Sequence, residues 1–243
     1  MVEGRLEMEI AAGVHSMDQS TGGHVHAFLL DDGKDLTLID TLFDTDAGRI
    51  LDRISALGRS VGDLKNIVLT HAHRSHLGGL AVLKDLSGAT VYSHAWEADI
   101  IAGERVAQPI SPIPMRPLRT YWRVYYLQFG AALGRGKHPP CPVDATLGDG
   151  DRIGPVEVIH APGHTPGHLA FWWPERKVLI AGDAIATYPV FAPGWPVFTL
   201  NPTQHRASLE RMAGLDPEVL AVGHGDPLTA GAAVRLRSLV ESL

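Results

Sequence analysis

Thr70-His71-Ala72-His73-Arg74-Ser75-His76-Leu77-Gly78-Gly79 follows directly on the apolar run Ile67-Val68-Leu69. An apolar run that ends in clustered imidazoles reads as a buried strand delivering side chains at its C-terminal end. Neutral imidazole is the commonest metal ligand, and His71 and His73, two apart, can converge on one ion as the chain leaves the strand. Zn²⁺ favours nitrogen ligands, and a catalytic zinc keeps one position open for water. A single histidine here would read as part of a polar loop; three in so short a stretch point to a metal.

Further candidate ligands lie downstream. His164 stands in Ala161-Pro-Gly-His164-Thr-Pro-Gly-His168, Asp183 in Ile180-Ala-Gly-Asp183, and His224 in Ala221-Val-Gly-His224-Gly225. Each follows an apolar stretch of strand character: Val156 to Ile159, Val178 to Ala181, and Val219 to Val222. A glycine beside each candidate permits the tight turn and close backbone approach that a metal centre needs.

This order of motifs resembles the metallo-β-lactamase superfamily, whose signature is H-x-H-x-D-H followed by a distant His, a bridging Asp and a final His. The resemblance covers essentially the whole chain and is more specific for fold and metal centre than for substrate. It implies an α/β fold of the αββα sandwich type, with two similar αβ halves. Carried over residue by residue, His71, His73 and His164 match the first metal site. Asp183 matches the carboxylate that bridges both ions, and His76 and His224 match the second site. Asp183 and His76 are the candidate catalytic residues, and Asp40, ending Leu38-Ile39-Asp40, is expected to orient a metal-binding histidine. The implied cofactor is zinc, as one or two ions, with iron or manganese as alternatives.

One position departs from the signature: Ser75 stands where the family has Asp. A neutral hydroxyl is a poor Zn²⁺ ligand, so the second site retains only His76, His224 and the shared Asp183. Two readings stay open: water fills the vacancy and two ions bind, or the second site has reduced affinity.

Composition fits one ordinary globular domain spanning residues 1–243, with 45% hydrophobic and 20% charged residues. A net charge of −6 without a dense Lys/Arg run argues against a nucleic-acid partner. Cys141 is alone, which excludes an internal disulfide. Acidic residues occupy the N-terminus where a signal peptide would be apolar, and no stretch is long enough to span a bilayer. The expectation is a cytoplasmic protein with a small-molecule substrate and no membrane partner, as a monomer or homo-oligomer.

Leu6 to Met17, His24 to Leu30 and Asp35 to Leu42 read as consecutive strands. Asp46 to Leu57 and Leu77 to Leu86 read as helices, followed by a strand at Thr90 to Ser93 and a helix at Trp96 to Ala102. Two more helices are expected near Thr203 to Ala213 and Gly231 to Leu243. Residues 104–146 interrupt this alternation: Pro109, Pro112, Pro114 and Pro117 forbid a continuous helix, and aromatics concentrate between Tyr121 and Phe129. The insert is either a helix packed on the core or a subunit interface, or a cap bordering the site. Thr187 to Thr199, with Tyr188, Phe191, Trp195 and Phe198, is a second candidate wall. His24 and His26 read as structural or supporting, and His168 as packing. His15, His94, His138, His160 and His205 have no evident partner, although His94 could line the cleft.

The chemistry follows from the implied centre. A metal lowers the pKa of bound water toward neutrality, making hydroxide available at pH 7, and polarises a carbonyl. No Ser, Cys or Lys nucleophile is required, and no G-x-S-x-G turn surrounds Ser75. The bridging Asp183 favours the glyoxalase II-like and lactonase-like branches over true β-lactamases. Ala186, three after Asp183, replaces the Tyr that N-acyl-homoserine lactonases carry, and no basic cluster for glutathione is evident. The expected function is hydrolysis of a small ester, lactone or thioester with an apolar portion. The alternatives are a mononuclear iron oxidoreductase resembling persulfide dioxygenases, using His71, His164 and Asp183, and promiscuous β-lactam or phosphoester hydrolysis.

Overall fold

The computed structural model describes residues 7–134 and 137–243. The first sheet holds β1 (Glu7–Ala11), β2 (Val14–Gln19), β3 (Val25–Asp31), β4 (Leu36–Ile39), β5 (Leu64–Val68), β6 (Thr90–Ser93) and β7 (Ala145–Thr146), side by side in chain order. Pairing is antiparallel from β1 to β4 and parallel from β4 to β7. The second sheet holds β8 (Arg152–Ile153), β9 (Val156–His160), β10 (Leu169–Trp173), β11 (Val178–Ile180) and β12 (Val219–Ala221), also in chain order. Only β11 and β12 run parallel there.

Period-two alternation assigns the layers. Phe28 and Leu30 of β3 point between the sheets, where they meet Phe171 and Trp173 of β10 and Val178 and Ile180 of β11. Ala27 and Leu29 point the other way, onto Ile50, Ile54, Leu80, Leu83, Ile100 and Ile101. Those residues belong to the helices Gly48–Ala56, Leu80–Ser87 and Ala95–Ile101. Ala170, Leu179 and Leu220 face Leu209 and Met212 of the helix Pro202–Ala213, and Leu236 and Leu239 of the helix Ala232–Glu241. The result is the expected αββα sandwich. Burying one side chain such as Phe171 contributes about 1.5–3 kcal/mol, so the layers hold through many such increments.

Several boundaries differ from expectation. Leu6 to Met17 is not one strand but the β1–β2 hairpin, with Leu6 itself outside the described residues. Gly13 turns it with φ 76°, and a Cβ there would lie 2.4 Å from the Asp31 carbonyl oxygen. His24 belongs to the turn before β3, at φ 52°, and β4 ends at Ile39 because Asp40 and Leu42 are left-handed. The helix expected from Leu77 begins at Leu80. Gly78 lies flat against the 43–44 backbone, where a Cβ would sit 2.3 Å from the Phe43 carbonyl oxygen. Tertiary contact, not helix propensity, sets that start.

The insert carries two short helices, Leu118–Tyr121 and Tyr125–Ala132, joined by a 3₁₀ turn at Trp122–Val124. Tyr121 and Val124 pack with Trp195, and Leu127, Tyr188, Val197 and Phe198 adjoin them. Among the described residues, no helix is long and apolar enough to cross a membrane.

Candidate metal centre

One edge of the sandwich collects the ends of five strands. Asp40 follows β4, His71, His73 and His76 follow β5, His164 follows β9, Asp183 follows β11, and His224 follows β12. Backbone bonds lock the two sheets together at this edge. Leu169 N–H donates to Thr70 O at 2.8 Å, His26 N–H to Gly223 O at 2.9 Å, and Gly225 N–H to His24 O at 2.8 Å.

The structure brings all six expected ligand residues together, in two clusters that share Asp183: His71, His73, His164 and Asp183, and His76, Asp183 and His224. His73 Nδ1 lies 2.9 Å from His71 Nε2 and 3.1 Å from His164 Nε2. Asp183 Oδ2 lies 3.6 Å from both His71 Nε2 and His164 Nε2 and 3.1 Å from His224 Nε2, while Oδ1 is 3.3 Å from His76 Nε2.

The outer ring nitrogens are held by other groups. Thr70 donates its N–H and Oγ1–H to Asp40, each at 2.8 Å, so the Thr70 oxygen is left to accept from His71 Nδ1 at 2.9 Å. His76 Nδ1–H donates to Asp40 at 2.9 Å, and His224 Nδ1–H to Gly23 O at 3.0 Å. These bonds aim the Nε2 atoms inward, and on a neutral ring each leaves the Nε2 lone pair available to a cation. His76 Nε2 and Asp183 Oδ1 are buried and make no hydrogen bond. Imidazole nitrogens crowded lone pair to lone pair beside an anionic carboxylate are a donor set for a cation. This His/Asp arrangement fits a metal.

The local field agrees. Burial, reinforced by neighbouring imidazoles, holds His71 well below its ordinary value, and burial does the same to His164. Desolvation takes His73 to about 4. All three are therefore neutral near pH 7, the form that binds metal. His76 is the opposite case: burial disfavours its charge, but Asp183 and Asp40 overcome this and raise it to about 10. Asp183 itself is buried, yet His224 and His76 keep it well below the carboxylate range.

Supporting residues not evident in the sequence surround this core. Glu97 is almost fully buried (1% exposed). Its Oε1 accepts from Thr165 Oγ1 at 2.5 Å and Gly167 N–H at 3.1 Å, and its Oε2 accepts from Ala72 N–H at 3.1 Å. One carboxylate thus ties the loop carrying His71 and His73 to the loop carrying His164. Its helix gave no sign of this, because a lone Glu in an amphipathic pattern reads as solvated. His168 Nε2 accepts the Asp183 N–H at 3.2 Å, and His205 Nε2–H donates to Ala184 O at 2.9 Å. His94 stacks on His160, centroids 4.6 Å apart, rather than facing the metal residues. His26 pairs with Ser16, His15 with Arg53, and His138 with Ile101 O.

The wall expected from Thr187 to Thr199 is present in part. Trp195 stacks on His224 at 4.2 Å and Phe198 meets His73 edge-on at 5.5 Å, but Phe191 packs instead on the core of the second sheet and its helices, beneath Arg235.

Two outcomes follow. Glu97→Gln keeps the shape but removes an anionic acceptor, so metal affinity should fall about 10–100-fold, the scale of outer hydrogen-bond partners of ligands. Competition with a chromophoric chelator reads this, and unchanged affinity would reduce Glu97 to packing. Second, burial takes His26 and His168 to about 3. Their unfolded value is higher, so below about pH 6.5 the unfolded chain binds more protons and stability falls toward pH 3. Each contributes up to about 1.4 kcal/mol per pH unit. Urea titrations of metal-free protein at pH 7 and pH 5 should show the loss; equal midpoints would contradict it.

Comparison with known proteins places this geometry. Residues 20–224, which contain all six clustered residues, match the family model described as the metallo-beta-lactamase superfamily. The chain is 28% identical over 233 residues to the "Probable metallo-hydrolase YflN" of Bacillus subtilis strain 168, covering 91% of this chain and 87% of that one. It is 32% identical over 158 residues to a hydroxyacylglutathione hydrolase of Pseudomonas aeruginosa strain LESB58, covering 63% of this chain and 43% of the relative. A metallo-beta-lactamase family protein of Thermus thermophilus superposes with a TM-score of 0.67 at 26% identity, covering 96% of this chain and 79% of that one. Matched along most of its length in sequence and in three dimensions, the chain belongs to the metallo-beta-lactamase superfamily and is a metallo-hydrolase of that family.

Proposed function

We propose that the protein hydrolyses a small ester, lactone or thioester bearing an apolar portion, with His71, His73, His164, Asp183, His76 and His224 as metal ligands. The observation that carries this reading is the aromatic wall: Trp195 and Phe198 lie directly against two residues of the cluster, His224 and His73. A substrate whose reacting carbonyl sits over the cluster would rest its apolar part on these rings. Relationship to a hydroxyacylglutathione hydrolase, named for a thioester-type substrate, supports the same class.

A metal bound here supplies an acidified water and a Lewis acid for the carbonyl oxygen. The chain supplies the rest. His76, hydrogen-bonded to Asp40, and His224, hydrogen-bonded to Gly23 O, fix the geometry from one side. Asp183 Oδ1, which lies 3.3 Å from His76 Nε2, would take a proton from the attacking water and return it to the leaving group. Zinc is the ion this nitrogen-rich set favours.

Turnover of a panel of esters, lactones and thioesters in oxygen-18 water should place one label in the product acid. Oxygen should be dispensable, and His164→Ala should reduce the rate by at least about 100-fold. Strict dependence on O₂, or label arriving from O₂, would transfer the protein to the mononuclear oxidoreductase class.

Ser75 gives a second expectation. It lies in the 3₁₀ turn Arg74–His76 and adds no carboxylate, so Asp183 is the single anion of the second cluster. Two dications held close repel strongly, and fewer anions raise that cost. Metal-free protein should bind a first equivalent tightly and a second more weakly. Ser75→Asp should tighten the second by about 10–100-fold. Two equally tight ions, unaffected by Ser75→Asp, would show that the position does not matter.

A further inference from the structure

We propose that the outer face of the helical insert is a docking surface for an anionic lipid bilayer. The segment 118–134 presents two apolar faces. Its inner face, Tyr121 and Val124 with Leu127 beside them, packs on Trp195. Gln128 fastens the segment to the preceding proline-rich stretch, its amide donating to Ser111 O and Ile113 O and accepting from Met115 N–H. The outer face remains in water: Leu118, Trp122, Tyr126, Phe129 and Leu133 are 46%, 62%, 58%, 45% and 55% exposed. They recur every three or four residues along the two short helices and the 3₁₀ turn that joins them. A large apolar stripe left in water marks an interaction site.

Charge indicates what covers it. Residues 111–140 contain Arg116, Arg119, Arg123, Arg135 and Lys137 and no acidic residue, in a chain whose net charge is −6. Arg116, Arg119, Arg123 and Lys137 are exposed. Arg119 and Arg123 also line a shallow groove of ≈ 610 Å³, with Trp122, Pro189 and Val190 on its walls. A second copy docked through the same face would set these cations against each other across a twofold axis. An anionic bilayer meets the exposed Arg116, Arg119, Arg123 and Lys137 favourably. Trp and Tyr are the side chains that settle at the headgroup level, and Leu and Phe the ones that enter beneath it. Expecting no membrane partner rested on the absence of a spanning segment; surface docking needs none. The inner face of the segment packs on Trp195, which stacks on His224. Docking would therefore bring the candidate site beside the lipid.

This inference goes beyond the hydrolase reading, and its test needs no turnover. The metal-loaded full chain is sedimented with vesicles of phosphatidylcholine alone and with vesicles of equal parts phosphatidylcholine and phosphatidylglycerol. Binding to the mixed vesicles, weakening with added salt and absent for phosphatidylcholine alone, is expected. Arg119→Gln with Arg123→Gln should weaken it about tenfold or more, as should Trp122→Ser with Phe129→Ser. Both variants alter exposed side chains, and circular dichroism and metal content should stay as in the parent. Failure of the parent to bind mixed vesicles, or binding indifferent to both variants, overturns the proposal. So does a dimer in solution that Trp122→Ser with Phe129→Ser dissociates, because a second copy would then occupy the face.

Discussion

Everything at the site depends on one buried anion. Asp183 stands among His71, His76, His164 and His224, and its carboxylate is the single negative charge common to both nitrogen clusters. An isolated carboxylate so deeply buried would be neutralised by protonation; here His224 and His76 keep it ionised. The backbone makes room for it. Gly182, at φ 51°, passes close to His168 and Thr70, and a Cβ at Gly223 would lie 1.9 Å from Asp183 Oδ1. The glycine before His224 is therefore a steric requirement of that carboxylate, and the glycine before Asp183 a requirement of the His168 and Thr70 side chains beside it.

His76 completes the balance. Flanked by Asp40 and Asp183, it carries a proton near neutrality in the metal-free protein. A cation held by these residues would take the place of that proton as the counter-charge to Asp183. The centre thus holds its anion in either state, and the surrounding sheets need not absorb an unpaired charge.

The sandwich and the site were legible to different depths. The layers could be read because alternation in the strands and helical spacing in Asp46 to Leu57 reflect burial directly. The candidate ligands could be read because three histidines cluster after one apolar run, and His164, Asp183 and His224 each follow another with a glycine beside them. Glu97 could not. Its three hydrogen bonds come from Ala72, Thr165 and Gly167, far from it in the chain, and nothing local distinguishes it from a surface Glu. The start of the helix at Leu80 was hidden for a similar reason: the contact of Gly78 with the 43–44 backbone is a property of the folded chain. The insert was legible only as an interruption. Which of its aromatics turn in toward Trp195 and which stay in water depends on the packing of the whole segment.

The division of the donors between the two sheets also bears on biosynthesis. His71, His73 and His76 emerge from the ribosome well before His164, Asp183 and His224. The anion that makes the cluster attractive to a cation belongs to the later half, so a nascent chain displays imidazoles without their carboxylate. The complete donor set therefore exists only in the closed sandwich, whose sheets are joined by the backbone bonds at Thr70, His24 and Gly223. A chain stalled before β11 lacks Asp183 and His224, so the complete donor set forms only when the second half has folded onto the first.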